Sequence, residues 1–180
     1  MAEQASAELT IRAANESDAA ACAAIYRPFV LDTAVSFEIS PPTDDEMAAR
    51  IRETSRSHAW LVAETGGDVV GYAYARPFAA REAYRWSCET SIYLSPGRRR
   101  SGLGRALYTA LLARLTERGF RVAVAKMTLP NAASEGLHAA LGFRPVGVHP
   151  RIGFKNGAWH DIAIAQLTLA TGDDPPTDPR

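Results

Sequence analysis

The stretch Arg98-Arg99-Arg100-Ser101-Gly102-Leu103-Gly104-Arg105 constrains the chain more than any other, because it joins a β-like run, Trp86 to Leu94, to a long amphipathic helix. That helix is predicted from about Gly102 to Arg118, with Leu103, Leu107, Ala110, Leu111 and Leu115 on one stripe and Gly119 at its left-handed end. Val122-Ala123-Val124-Ala125 then reads as a buried strand, so strand, helix and strand make a right-handed crossover with parallel strands. Two glycines one residue apart let the backbone approach a bulky group, and the helix start turns its N–H groups and positive dipole end toward the same turn. With four arginines in eight residues, whose planar forks suit phosphate oxygens, the turn reads as an anion cradle for a phosphorylated cofactor. A glycine turn beneath a solvated arginine cluster is the other reading of these residues. The third glycine of the dinucleotide fold and the Lys-Ser/Thr pair of the P-loop are both missing, so neither nucleotide motif is present.

The rest of the chain supplies further β runs and helices around this unit. Leu9 to Arg12 alternates as a short strand, and Asn15 to Asp18 caps a helix expected to end before Pro28. Phe29 to Pro42 is an irregular loop with exposed aromatics, and Thr43 caps a second helix carrying Met47 and Ile51. Trp60 to Ala63 and Val69 to Tyr74 flank a glycine-rich turn, the pattern of an antiparallel hairpin. Asn131 caps a short helix closed by Gly142, and two β runs follow near Val146 to Val148 and Ile162 to Ala165, with Gly153 to Trp159 between them. The expected fold is α/β of the α+β kind: a mixed, mostly antiparallel central sheet with one parallel crossover and helices on both faces.

A chain of 180 residues makes one domain, expected over 1–171, with a disordered tail over 172–180. Twenty basic side chains balance twenty acidic ones, which argues against a general binder of nucleic acid or anionic membrane. Cys22 and Cys88 have no metal-site spacing and read as buried thiols of a reducing compartment; no metal is expected. No secretion signal or apolar run of membrane length is visible, so a cytoplasmic location is expected.

Arg99-x-x-Gly102-x-Gly104 after a strand resembles the pyrophosphate loop of the GCN5-related N-acetyltransferases (GNAT), which bind acetyl-CoA. A second stretch, Asn131-Ala132-Ala133-Ser134, His138 and Leu141-Gly142-Phe143, is similar to that superfamily's other cofactor motif, with His138 where tyrosine is usual. The segments Tyr74 to Arg81, Tyr84, Trp86, Glu89, Leu107 to Thr109, Gly153 to Lys155 and Trp159 to Asp161 resemble the phosphinothricin and methionine sulfone or sulfoximine branch. The likeness spans Leu9 to Leu169 and implies acetyl-CoA as co-substrate, bound through Arg99, Arg100, Ser101, Gly102, Leu103, Gly104, Arg105, Asn131 and Ser134. It also implies that the backbone of Ile92, Tyr93 and Leu94 pairs with the pantetheine arm. A homodimer is implied by resemblance alone.

Acetylating an amine needs a neutral nucleophile, and an α-amino group with pKa about 8 is mostly protonated at neutral pH, so a base must take one proton. Glu89 shares a strand face with Ser87, Ser91 and Tyr93; pattern alone favours the solvated face of an edge strand, and the resemblance reverses that preference toward the base. His138 is the second candidate, as base, acid or anchor, against a polar residue on the outer face of a short helix. Arg76 and Arg81 are candidates for a substrate carboxylate, with Phe37, Phe78 and Tyr84 as apolar walls. The reading is a small-amine N-acetyltransferase acting on an amino acid analogue. The alternatives are an enzyme for another amine or a protein N-terminus, and a non-catalytic acetyl-CoA-binding module.

Overall fold

The computed structural model describes residues 8–97, 102–172 and 177–180. Among the described residues seven strands form one sheet, β1 (Leu9–Ala13), β2 (Trp60–Thr65), β3 (Asp68–Pro77), β4 (Ser87–Leu94), β5 (Val122–Thr128), β6 (Arg144–Lys155) and β7 (Ala158–Thr168), in the order β1-β2-β3-β4-β5-β7-β6. Every neighbouring pair is antiparallel except β4 and β5, which run parallel as the crossover requires. The four α-helices of the described residues are α1 (Ala19–Leu31), α2 (Asp44–Ser57), α3 (Leu103–Glu117) and α4 (Ala132–Ala140).

Alternation along β2 sorts the core into two halves. Leu61 and Ala63 join Leu107, Tyr108, Leu111 and Leu115 of α3 on one face, while Trp60 and Val62 join Ile25, Tyr26, Met47 and Ile51 of α1 and α2 on the other. The helix starts follow their caps: Thr43 and Glu46 form a reciprocal capping box, and Asn131 accepts from the Ser134 N–H. No helix of the described residues is long and apolar enough to cross a membrane.

Two local expectations are corrected. α1 runs through Pro28 to Leu31, because Val30 is buried and the Phe29 ring packs on Tyr93; this burial outweighs the single backbone bond that Pro28 removes. Gly153 to Trp159 is not a connector. β6 and β7 extend into it and turn at Asn156-Gly157, both with positive φ, the requirement of a tight hairpin turn. Within the tail expected to be disordered, Thr177 accepts from the Trp86 indole N–H and Asp178 pairs with Arg85.

Candidate active site

Parallel pairing of β4 with β5 runs from Ser87↔Val122 to Thr90↔Ala125, after which β4 stays with β3 and β5 with β7. The gap that opens between them is lined by Ile92, Tyr93, Lys126, Asn131, Ser134 and His138. Next to it lies a cleft of about 520 Å³ walled by Tyr26, Phe37, Tyr74, Tyr93 and Ile152, with Glu89, Arg76 and Lys126 on its floor.

Glu89 stands on a central strand and is 6% exposed, so it is not the solvated residue of an edge strand. The register Arg76↔Glu89 brings the guanidinium of β3 alongside it, and Nε and Nη2 both donate to Oε1, the former at 3.1 Å. Lys126, the first residue of β5 beyond the parallel pairing, reaches Oε2 at 2.7 Å. Burial alone would raise the Glu89 pKa, but the hydrogen bonds and charges of Lys126 and Arg76 outweigh it and hold the carboxyl below its usual range. Glu89 is therefore ionised at neutral pH. Arg76 is correspondingly engaged with Glu89 through two of its five N–H groups, and its side chain is 56% exposed at the cleft.

The cleft's outer wall is held just as specifically. The buried Lys155 ammonium donates to the carbonyls of Val30 and Ser36 at 2.7 and 2.6 Å, which ties the β6–β7 hairpin to the loop carrying Phe37. Arg50 forks onto both Glu38 oxygens at 2.7 and 2.9 Å, and Tyr26 bridges Ser36 and Glu38. Phe37 lies over Gly153, where an added Cβ would come within 2.1 Å of its ring. Phe78, Arg81 and Tyr84 sit apart, on the loop between β3 and β4, with Phe78 edge-on to Tyr84; of the five substrate residues expected from sequence, the cleft at Glu89 brings together Phe37 and Arg76.

His138 is buried and bonded at both ring nitrogens. Nδ1 lies 2.7 Å from the Ser134 carbonyl, which only accepts, so Nδ1 carries a proton. In the neutral ring Nε2 then accepts from the Tyr108 hydroxyl at 3.0 Å, and Tyr108 accepts from Thr90 at 2.6 Å. Burial lowers the His138 pKa against the opposing effect of the Ser134 carbonyl, so the ring is neutral at pH 7. The alternative of a polar residue on the outer face of a short helix does not hold.

On the cofactor side, Arg99, Arg100 and Ser101 lie outside the described residues. Gly102 adopts φ 78° as the left-handed N-cap of α3, with no atom within 4 Å of an added Cβ. Leu103 is buried in the core, and Arg105 is exposed on the first turn. Gly104 faces inward: a Cβ there would meet Leu94 at 3.3 Å and Leu137 at 3.7 Å, so this glycine permits close packing of α3 on β4 and α4. Asn131 Oδ1 is used in capping α4, at 3.2 Å from the Ser134 N–H.

The fold and this split of β4 from β5 define an acetyltransferase, and the comparisons agree. The Acetyltransferase (GNAT) domain model matches residues 11–164, and the chain belongs to that family. It is 40% identical to the phosphinothricin N-acetyltransferase of Streptomyces viridochromogenes, over 87% of this chain and 85% of that one. Identity to the L-methionine sulfoximine/L-methionine sulfone acetyltransferase of Salmonella typhimurium is 35%, over 89% and 95%. The crystal structure of a GNAT phosphinothricin acetyltransferase from Sinorhizobium meliloti, in complex with acetyl-CoA, superposes with a TM-score of 0.90 at 40% identity, covering 94% of this chain and 93% of that one.

The residues present fit acetyl-CoA as co-substrate. Beyond Thr90 the β5-side edge of β4 is unpaired and opens on the gap at Ile92 and Tyr93 while its other edge stays with β3, which suits an amide-bearing arm, and the open left-handed turn at Gly102 leads into the N-terminus of α3, which suits phosphate. Lys126 was missed by sequence reasoning: it follows an apolar strand run, and only the parallel register shows that it reaches Glu89.

Proposed function

We propose that the enzyme acetylates the amino group of a small amino acid analogue of the phosphinothricin or methionine sulfone kind, with Glu89 taking a proton from the substrate ammonium directly or through one water. The observation that carries this reading is an ionised, buried carboxylate on the floor of a cleft of small-molecule size, next to the gap that suits acetyl-CoA. The names of the relatives support the substrate class. Acetyl-CoA supplies the activated acetyl group as its thioester, and the backbone of Ile92 to Leu94 with the turn at Gly102 to Arg105 holds it; Arg99, Arg100 and Ser101 belong to the same proposed cradle.

His138 is proposed to hold a proton on the gap side. When the ring gains one, Nε2 donates to Tyr108, Tyr108 to Thr90, and Thr90 to the Val124 carbonyl at 3.2 Å, so the chain reverses without stranding a donor. The protein is further proposed to be a cytoplasmic homodimer. Two buried free thiols are consistent with a reducing compartment, and Val146, Val148, Ile152, Phe154 and Trp159 expose an apolar face of the β6–β7 hairpin that a second copy would cover. Light scattering on the purified protein tests the second point.

The functional test is release of CoA thiol from acetyl-CoA with phosphinothricin, methionine sulfone, their decarboxylated amines and a short peptide. Turnover of the two amino acid analogues well above the peptide supports the reading. Preference for the peptide would replace it with protein N-terminal acetylation, and no turnover with any amine would favour a binding module.

A further inference from the structure

We propose that Lys126 is the residue that selects free α-amino acids, by taking the substrate's α-carboxylate while Glu89 takes the adjacent ammonium. The inference rests on the small-amine reading above and names the chemistry its substrate must carry.

Lys126 differs from the other described cations in where its free donors lie. Among the described cations around the cleft, Lys155 is spent on two carbonyls and Arg50 is forked onto Glu38; Arg76 puts two of its five N–H groups on one Glu89 oxygen and lines the cleft but not the gap. Lys126 makes one bond to Glu89, and an ammonium has three donors. Its side chain is 41% exposed, and it lines both the substrate cleft and the gap between β4 and β5, where amine and acetyl group have to meet.

Charge points the same way. Arg76 and Lys126 set two positive charges against the one of Glu89, leaving a net cation on the cleft floor. The Lys126 and Glu89 heads lie 2.7 Å apart, an exposed cation beside a buried anion. An α-amino acid zwitterion carries its ammonium and carboxylate on neighbouring atoms of one Cα and is the complementary dipole to that pair. A peptide N-terminus offers a neutral amide where the carboxylate would be, and a simple amine offers nothing, so either leaves Lys126 on Glu89. When a carboxylate draws the ammonium away, Oε2 gives up its strongest partner and the carboxylate becomes more basic. Recognition of the right substrate and activation of the base thus fall to one movement.

The test compares wild type, Lys126→Met and Lys126→Arg, reading calorimetric affinity in the presence of CoA and kcat/KM for methionine sulfone, its α-carboxamide and its decarboxylated amine. The inference expects Lys126→Met to weaken methionine sulfone by about tenfold or more, the usual effect of removing one charge-assisted bond, and the other two compounds by much less. Discrimination between carboxylate and carboxamide then collapses, and Lys126→Arg retains most of it. Equal losses on all three compounds would make Lys126 a structural neutraliser of Glu89 and overturn the proposal, as would unchanged discrimination. The affinity ratios are read without turnover, so wild type that binds methionine sulfone but does not acetylate it would refute the enzymatic reading and leave the Lys126 test intact. Wild type that fails to bind it would overturn the Lys126 assignment itself.

Discussion

The cleft floor and the β4–β5 gap adjoin, yet they are built from opposite materials. At the floor, charges from three strands meet: Arg76 from β3, Glu89 from β4 and Lys126 from β5, within hydrogen-bonding distance and with a carboxyl pulled below its usual pKa. Apart from Lys126, which lines both, the gap side is made of strand edge, a left-handed glycine and an uncharged chain from Thr90 through Tyr108 to His138. One side is built from paired ionic groups, the other from backbone shape and neutral hydrogen bonds. Substitutions on the floor should therefore change chemistry and spare folding and cofactor affinity. Substitutions around the gap should change packing, or the rate by modest factors.

The sharpest break between the two is Glu89→Gln. It should keep acetyl-CoA affinity by calorimetry while kcat/KM falls about 10²-fold or more, the usual share of a positioned base. A parallel loss of cofactor affinity would merge the two regions. Gly104→Val probes the gap in the opposite sense. Its branched side chain presses on Leu94 and Leu137, so thermal unfolding should show a loss of about 1–3 kcal/mol, the cost of overpacking. Acetyl-CoA affinity should fall with it because Leu94 carries the strand edge. Gly104→Ala should be near neutral, since helix propensity returns about 1 kcal/mol. An unchanged melting temperature for Gly104→Val would mean that the glycine serves the ligand and not the packing.

Tyr108→Phe keeps the ring and removes the hydroxyl between Thr90 and His138. A lost link of this kind is worth about tenfold in kcat, and the amine's KM should hold. A change confined to KM would place His138 with the substrate instead. Gly153→Ala should have the smallest effect. The new methyl displaces the Phe37 ring from the cleft wall, raising the amine's KM by a smaller factor than the kcat loss expected of Tyr108→Phe and leaving acetyl-CoA affinity alone.

The same contrast governs what was legible in the sequence. The gap side announces itself locally: strand, glycine turn, amphipathic helix and Asn131 cap are short-range signals, and their order fixes the parallel crossover. Gly104 was legible as a glycine that close approach requires, but not as one that meets Leu94, because that depends on how α3 settles on the sheet. The floor was only half legible. Glu89 stood out as a carboxylate within a β run, whereas its partners come from register, Arg76 opposite it on β3 and Lys126 one step past the last parallel pair. Arg81, Phe78 and Tyr84 looked equivalent to Arg76 in sequence because all four flank the same turn of chain; the strand end at Pro77 separates them. Pro28 misled for a related reason, since local chemistry marks a helix end while the burial of Val30 favours continuing.

The proposed deprotonation of the bound ammonium by Glu89, held ionised by its neighbours, is tested most directly by the pH dependence of kcat/KM. Its pKa is depressed from an ordinary value of 4.5, so the carboxylate is present throughout neutral pH and is lost only as pH falls through a still lower value. Wild type should accept the ammonium form, and its kcat/KM should be flat across neutral pH. Glu89→Gln must wait for solvent to supply the neutral amine, so its kcat/KM should climb with pH toward the amine's own pKa of about 8 and recover part of the deficit there. Profiles that run parallel, separated by a constant factor at every pH, would contradict the account and place the base elsewhere.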